Sequence, residues 1–327
     1  MAWIERHWQT ITPVSILLFP LSLLFRAAVA LRRAAYRAGV FSSVRLPVPV
    51  VVVGNVTAGG TGKTPLVLWL AACLREHSRR PGIVARGYGG TERGPAPVAG
   101  DSDPRRFGDE PVLLARRSGC PVWIGADRAG AARALLAAHP ECDVIVSDDG
   151  LQHYRLARDM EIVVSQPGTP RNTWMLPAGP FREPAARAAA ADAVVIHATP
   201  DAGAADGAAF AMTLEGSEFC NLLNPALWTG PERFRNQKVH AVAGIGNPQR
   251  FFRHLQQLGI AFTAQAYPDH HAFSAAEVAF PGADAVLMTE KDAVKCEPCA
   301  DERHWALRVD ARVDPALGER VLKKLGK

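Results

Sequence analysis

Cysteine is scarce in this chain of 327 residues: six, at Cys73, Cys120, Cys142, Cys220, Cys296 and Cys299. That is too sparse for a disulfide framework and fits a reducing compartment. Cys296 and Cys299 form a C-x-x-C, but no second pair stands at ligand spacing, which argues against a zinc site. Aromatic residues make up 7% of the chain. The basic residues are dispersed rather than gathered among them, which argues against a nucleic-acid platform. The N-terminal apolar stretch, Ile11 to Phe25, is only 15 residues long. A full bilayer span needs roughly 20. Positive charge follows this stretch rather than preceding it, the reverse of a signal peptide's order.

The remaining composition is ordinary for a globular α/β protein, with 48% hydrophobic and 21% charged residues. The length admits two domains. A net charge of +5 and a pI near 9.0 favour anionic surfaces.

The most informative stretch runs from Val50 to Pro65. Val50-Val-Val-Val53 is β-branched and reads as a buried strand. A turn rich in glycine follows at Gly59, Gly60 and Gly62, then Lys63, Thr64 and an apolar helical run from Leu66 to Leu74. Strand, glycine turn, Gly-Lys-Thr and helix together are the context of a phosphate-binding loop. Its backbone N–H groups can converge on one anion, and the helix N-terminus adds partial positive charge. The binding stretch is Thr57, Ala58, Gly59, Gly60, Thr61, Gly62, Lys63 and Thr64. Lys63 would reach the β- and γ-phosphates, and the Thr64 hydroxyl would ligate Mg²⁺. Thr57 stands where the general pattern has glycine.

A second signal is Asp143-Val-Ile-Val-Ser-Asp-Asp-Gly150, an apolar strand ending in two adjacent carboxylates. A buried strand that delivers an Asp beside a phosphate-bound Mg²⁺ has this form. Adjacent strand residues face opposite ways, so Asp148 and Asp149 would point differently. Further strands are expected at 82–85, 122–124, 161–165 and 193–196, the last closing a first sheet. The stretch 199–208 reads as a surface loop and 210–236 as a linker. A second unit over 237–327 restarts at Lys238 and ends in a strand and a basic helix. Gly244-Ile-Gly-Asn-Pro248 reads as a tight strand–helix turn. Asp109 or Glu110 reads as a helix cap or first-turn acid.

The N-terminal stretch continues through Ala27 to Leu31, with Arg26, Arg33 and Arg37 on one helical face and Arg32 beside them. A helix lying in or dipping into the cytoplasmic leaflet, with arginines at the head groups, fits this composition.

The ordered set of motifs resembles the tetraacyldisaccharide 4′-kinase family of Gram-negative bacteria. The matching pieces are Gly54-Asn-Val-Thr57 with Gly59 to Pro65, Arg86-Gly-Tyr-Gly89, Gly108-Asp-Glu-Pro111, Asp148-Asp-Gly-Leu-Gln152, Leu176-Pro-Ala-Gly-Pro180 with Arg182-Glu183, Asp269-His270 and Thr289-Glu-Lys-Asp292. The shifted loop glycines match this family's version. The resemblance implies a P-loop NTPase-like three-layer α/β/α domain over 40–209. It also implies a second, smaller α/β/α domain over 237–327 closing the cleft, and a membrane-associated helix over 1–39. It implies transfer of the γ-phosphate of ATP to the 4′-hydroxyl of tetraacyldisaccharide 1-phosphate at the cytoplasmic face of the inner membrane. The acceptor-activating pair falls on Asp109 and His270. Lys63, Mg²⁺ and Arg182 would hold charge on the transferred group. Thr64, Asp148, Asp149, Gln152 and Glu183 would supply the Mg²⁺ shell.

Two other readings compete. A P-loop GTPase or ATPase driving a partner would explain the phosphate loop and the Asp pair. It would leave the membrane-directed helix unexplained, and Thr289-Glu-Lys-Asp292 lacks the Asn of a guanine reader. A membrane-bound nucleotide sensor would need no acceptor base.

Overall fold

A computed structural model describes residues 6–166, 171–197 and 209–326; the surface loop expected over 199–208 lies outside them. The first helix among the described residues is α1, Pro13–Arg37, of 25 residues. Thr12 caps it by accepting the Ser15 N–H at 3.2 Å, and Pro13 occupies the first turn, where its missing N–H costs nothing. The strip that faces the protein is narrow. Ser22 Oγ donates to the Met175 carbonyl at 2.7 Å and accepts from the Ala178 N–H at 3.0 Å. Phe25 and Val29 pack on a small cluster of Val56, Leu151 and Phe181. The opposite side leaves Leu17, Leu24 and Leu31 exposed at 79, 67 and 71%.

The first sheet has nine strands. In chain order they are β1 (Val50–Gly54), β2 (Pro81–Ala85), β3 (Ala96–Val98), β4 (Val122–Ile124), β5 (Val144–Asp148), β6 (Met160–Ser165), β7 (Ala193–His197), β8 (Ala209–Glu215) and, from the chain's end, β15 (Asp310–Val313). Their spatial order is β15-β8-β7-β6-β1-β5-β2-β4-β3. From β8 to β4 all neighbours are parallel; β15 and β3 run antiparallel at the two edges. Every residue of β1 and β5 is buried, as a parallel sheet covered on both faces requires. β1 lies between β5 and β6, so the connections leave it in both directions. That is the topological switch point where ligands bind at the strands' carboxyl ends. The helix after the phosphate loop, α2 (Lys63–Glu76), covers one face with Leu66, Leu70 and Leu74. Behind the neighbouring strands run α3 (Asp109–Ser118) and α4 (Arg128–Ala138).

The second sheet has six strands in the order β10-β9-β14-β13-β11-β12. They are β9 (Phe219–Asn221), β10 (Trp228–Thr229), β11 (Val239–Ala243), β12 (Phe262–Ala266), β13 (Ala285–Thr289) and β14 (His304–Leu307). Helices α5 (Pro248–Gln257) and α6 (Glu290–Cys296) follow β11 and β13. Phe219, Phe234, Phe252, Leu255 and Trp305 form a separate apolar core, so this unit buries its own surface.

Three boundaries differ from the sequence reading. β7 does not close the first sheet, because β8 and β15 extend it. The supposed linker over 210–236 carries most of β8 and all of β9 and β10. The last strand and helix, β15 and α7 (Pro315–Lys324), return to the first unit, where Leu317, Val321 and Leu322 join its core. The chain therefore crosses between units twice, at 216–218 and 308–309. The two crossings are tied by the Arg308 N–H donating to the Glu218 carbonyl at 2.9 Å. Sequence-adjacent segments went to different sheets because β8 and β15 each have a partner edge that local pattern does not reveal.

Candidate active site

The carboxyl ends of β1, β2 and β5 open into a cleft of about 1600 Å³ between the two units. The phosphate loop forms one wall. Gly62 caps α2 in the left-handed conformation at φ +79°, which a side chain would strain. Asn55, buried, braces the loop by donating from Nδ2 to Thr61 Oγ1 at 3.1 Å. Ala58 N–H donates to the Pro180 carbonyl at 2.7 Å, and Arg182 N–H to Val56 at 2.7 Å. The Leu176–Glu183 segment thus backs the loop. Ala58 through Thr64 line the cleft. Thr57 does not, and instead bridges to Phe181.

Lys63 Nζ lies 3.5 Å from Asp149 Oδ1, and Arg182 Nη1 3.0 Å from Asp149 Oδ2. Burial works to raise the Asp149 carboxyl, but these two cations outweigh it and hold it at about 2. Its neighbour Asp148 goes the other way. Burial, with Glu110 and Asp149 nearby, pushes it up to about 7, and its Oδ1 has no hydrogen-bond partner. The two adjacent carboxylates therefore divide: Asp148 is the last residue of β5 and keeps an unpartnered oxygen, while Asp149 lies just past the strand at φ +48° and is paired with two cations. Arg128, buried behind them, donates to the Gly125 carbonyl at 2.7 Å, and desolvation lowers it to about 10. Sequence gave no hint of its place.

These donors suit a divalent cation that arrives with nucleotide phosphates. Asp148 offers an unpartnered buried oxygen, and Thr64 sits in the first turn of α2. The other three expected ligands are differently engaged. Asp149 is taken by Lys63 and Arg182. Gln152 Nε2 donates to the Asn55 carbonyl at 3.1 Å. Glu183, fully buried, accepts from the Tyr154 hydroxyl, and its Oε2 makes no hydrogen bond but lies 3.8 Å from Arg33 Nη1. Among the described residues no group of three or more His, Cys, Asp or Glu side chains forms a ready cage. Mg²⁺ bound mainly through phosphates and water needs none.

Across the cleft, Asp109 at the start of α3 meets His270 of the second unit. His270 Nδ1 lies 3.0 Å from Asp109 Oδ2. Asp109 Oδ1 also accepts the Glu110 N–H at 2.8 Å, so the cap-like and pairing roles coexist. Burial works against ionising Asp109, but the His270 hydrogen bond and Lys291 outweigh it and lower its pKa. Burial likewise works against charging His270, and the Asp109 bond overrides it and raises its pKa. Tyr88, from Arg86-Gly-Tyr-Gly89, packs against the imidazole at 4.8 Å between centroids. His271 takes a different part, bonded to Glu277 at 2.9 Å and stacked on Tyr267.

Lys291 completes the group. Its Nζ lies 3.0 Å from Glu110 Oε1, 3.1 Å from Asp269 Oδ1 and 3.4 Å from His270 Nε2; burial works to lower its pKa, but Glu110, Asp109 and Asp269 outweigh it and raise it. The Thr289-Glu-Lys-Asp292 segment was visible in sequence, but not its closeness to the Asp109–His270 pair. Arg117 of α3 reaches Glu290 at 2.6 Å and also Asp310, so α3 and α6 are tied by two ion pairs, Lys291–Glu110 and Arg117–Glu290.

The signs of the Asp109–His270 shifts set a stability window. The lowered carboxyl contributes stability above its ordinary value, 3.8, that is lost as pH falls through its folded value. The raised imidazole contributes stability below 6.5 that is lost as pH rises through its folded value. The contribution is full between these two ordinary values. His270→Ala should therefore show a larger melting-temperature deficit at about pH 5.5 than at about pH 8.5. An equal deficit at both would mean that the pair does not form in solution.

Comparison with known proteins adds lineage to this geometry. The family model described as tetraacyldisaccharide-1-P 4′-kinase matches residues 14–326. The tetraacyldisaccharide 4′-kinase of Azoarcus sp. (strain BH72) is 50% identical over 324 residues, covering 98% of this chain and 94% of its own. That of Aromatoleum aromaticum is 51% identical over 322 residues, covering 97% and 96%. The crystal structure of LpxK from Aquifex aeolicus, described as an "apo" form in complex with ATP, superposes with a TM-score of 0.81 at 28% identity. It covers 95% of this chain and 99% of that one.

Proposed function

The chain belongs to the tetraacyldisaccharide 4′-kinase family, and from that premise we propose how its cleft divides the work of the reaction. The enzyme transfers the γ-phosphate of ATP to the 4′-hydroxyl of tetraacyldisaccharide 1-phosphate, giving the 1,4′-bisphosphate precursor of lipid A. The observation that carries the proposal is the facing of two groups across one cleft. The Lys63-bearing phosphate loop and His270 both line it, and His270 holds the buried, ionised Asp109 beside it.

The loop N–H groups from Gly59 to Thr64 receive the nucleotide phosphates. Lys63 exchanges Asp149 for the β- and γ-oxygens, and Arg182 stays near enough to share the developing charge. Mg²⁺ would be held by Asp148 and the Thr64 hydroxyl, with Asp149, Gln152 and Glu183 in reach through water. When bound it neutralises charge on the phosphates. A loose phosphoryl-transfer transition state depends mostly on such positioning and neutralisation. Asp109 takes the proton of the attacking hydroxyl as the new P–O bond forms. His270 orients that carboxylate, and Lys291 joins His270 to Glu110 and Asp269.

The exposed leucine face of α1 lies in the cytoplasmic leaflet of the inner membrane, with the enzyme body on the cytosolic side. The helix is about 37 Å long at 1.5 Å per residue, and by length and composition it could also cross. Lying in the surface brings Phe25, Val29 and Arg32, which border the cleft, beside a lipid whose acyl chains stay in the bilayer. Leu17→Asp/Leu24→Asp should cut co-sedimentation with anionic phospholipid vesicles at least several-fold while leaving nucleotide affinity intact. Unchanged sedimentation would remove α1 as the anchor.

The direct test is transfer of ³²P from γ-labelled ATP to tetraacyldisaccharide 1-phosphate in mixed micelles. Labelled lipid is the expected product. Steady phosphate release into water with no labelled lipid would replace the kinase reading by a hydrolase.

A further inference from the structure

Against the phosphate loop lies a buried histidine that does not itself line the cleft and has no part in the scheme above. His197 ends β7 and is 3% exposed. Its Nε2 lies 2.6 Å from the Thr61 carbonyl, and its Nδ1 is 2.8 Å from Arg250 Nη2. Arg250 belongs to α5 of the second unit. We propose that His197 is a positioning residue for the phosphate loop, locked by Arg250 in the one tautomer that can hold the Thr61 carbonyl, so that loop alignment depends on the seating of the second unit. The proposal rests on the loop being the nucleotide-phosphate site.

The tautomer follows from hydrogen-bond inventory. A guanidinium has donors and no acceptor. At His197 Nδ1 it can only donate, so Nδ1 carries the lone pair and Nε2 the proton. Nε2–H then donates to the Thr61 carbonyl. A loop that binds phosphate must turn its N–H groups inward and its carbonyls away. Thr61 lines the cleft, whereas His197 does not, so the carbonyl it holds is turned into the protein. The fit is close: a Cβ on Gly62 would sit 2.4 Å from His197 Nε2, so the ring can approach only because residue 62 is glycine. Burial and then Arg250 push the imidazole down to about 4, which keeps it neutral near pH 7. Arg250 is the charged group bearing on His197, and Arg253 bears on Arg250 in turn.

A second contact points the same way. A Cβ on Gly246 would lie 3.1 Å from the Gly60 nitrogen. The turn Gly244-Ile-Gly-Asn-Pro248 therefore rests directly on the phosphate loop. Asn247 caps α5 by accepting the Arg250 N–H at 3.3 Å. One turn thus places both Gly246 against Gly60 and Arg250 against His197. This accounts for the two glycines of the tight strand–helix turn read from the sequence.

The test is ADP affinity by calorimetry in the presence of Mg²⁺, with melting temperature and ATP KM alongside, on wild type, His197→Phe, His197→Gln, Arg250→Met and the His197→Phe/Arg250→Met double. His197→Phe should bind ADP about tenfold more weakly, the effect of one well-placed hydrogen bond. His197→Gln, whose amide can still donate to Thr61, should stay within about threefold of wild type on the same scale. Arg250→Met should weaken binding, and the double should be no weaker than His197→Phe, because Arg250 acts through the ring. Wild-type affinity in His197→Phe, or losses that multiply in the double, would overturn the proposal; the second result would make Arg250 a direct nucleotide contact. Should His197→Phe not fold, His197→Gln/Arg250→Met decides. It should equal His197→Gln, since an amide has no tautomer to lock, and any further loss overturns the idea. Absence of ADP binding in wild type would remove the reading of the cleft itself, whereas intact binding in wild type and His197→Phe alike would remove only the positioning role.

Discussion

Lys63→Ala should lower kcat/KM for lipid phosphorylation about 10³-fold, near 4 kcal/mol of transition-state stabilisation. The size follows from where the charge sits. The Lys63 side chain is 12% exposed and its ammonium is 3.5 Å from Asp149, so it acts in a medium far less screening than water. Its partner is a carboxylate held ionised at about 2, so truncation removes one cation and leaves Asp149 with Arg182 alone facing the incoming phosphates. The measurement is initial-rate kinetics with both substrates varied. The fall should lie mainly in kcat, since charge on the transferred group grows in the transition state. A loss below about tenfold would mean that the loop binds nucleotide without Lys63 serving the transfer.

Asp109→Asn should lower kcat by about 10²- to 10⁴-fold, the range for a positioned general base, with ATP KM nearly unchanged and, because the ionised pair with His270 is lost, a melting-temperature deficit that is larger at about pH 5.5 than at about pH 8.5. Near pH 8.5 this substitution separates chemistry from structure. Asp109 Oδ1 accepts the Glu110 N–H at 2.8 Å, and an amide oxygen performs that local service about as well as a carboxylate. What an amide lacks is the capacity to take a proton. His270→Ala should cost less, because the imidazole orients the base rather than replacing it. Full activity in Asp109→Asn would return Asp109 to the capping role and leave the acceptor without a base.

Much of the first unit was legible because its signals are consecutive. Val50 to Thr64 combines a β-branched run, glycines and Gly-Lys-Thr in a few residues, and each part reads by local rules. The strand ending in Asp148 and Asp149 is of the same kind. The Asp109–His270 pair was not legible that way. Its members are 161 residues apart, and only family resemblance joined them. Sequence placed Asp148 and Asp149 side by side, and packing alone gave Asp149 two ion-pair partners and left Asp148 with an unpartnered oxygen. Lys291 was inside a recognised segment, yet its place beside His270 depends on how α6 docks against α3.

By itself, the sequence determined the phosphate loop, the parallel strands that carry it, the amphipathic N-terminal helix and the family. These rest on short-range periodicity and on residue types adjacent in the chain. Tertiary structure decided the rest: that β15 returns to the first sheet and α7 to its core, that 210–236 carries β9, β10 and most of β8 rather than a linker, and that His197 and Arg250 meet against the loop. Those outcomes depend on which sheet edge a strand finds and on how closely two glycines let two backbones approach. Neither is encoded in any one stretch of chain, because each is a property of surfaces that exist only after both units have folded.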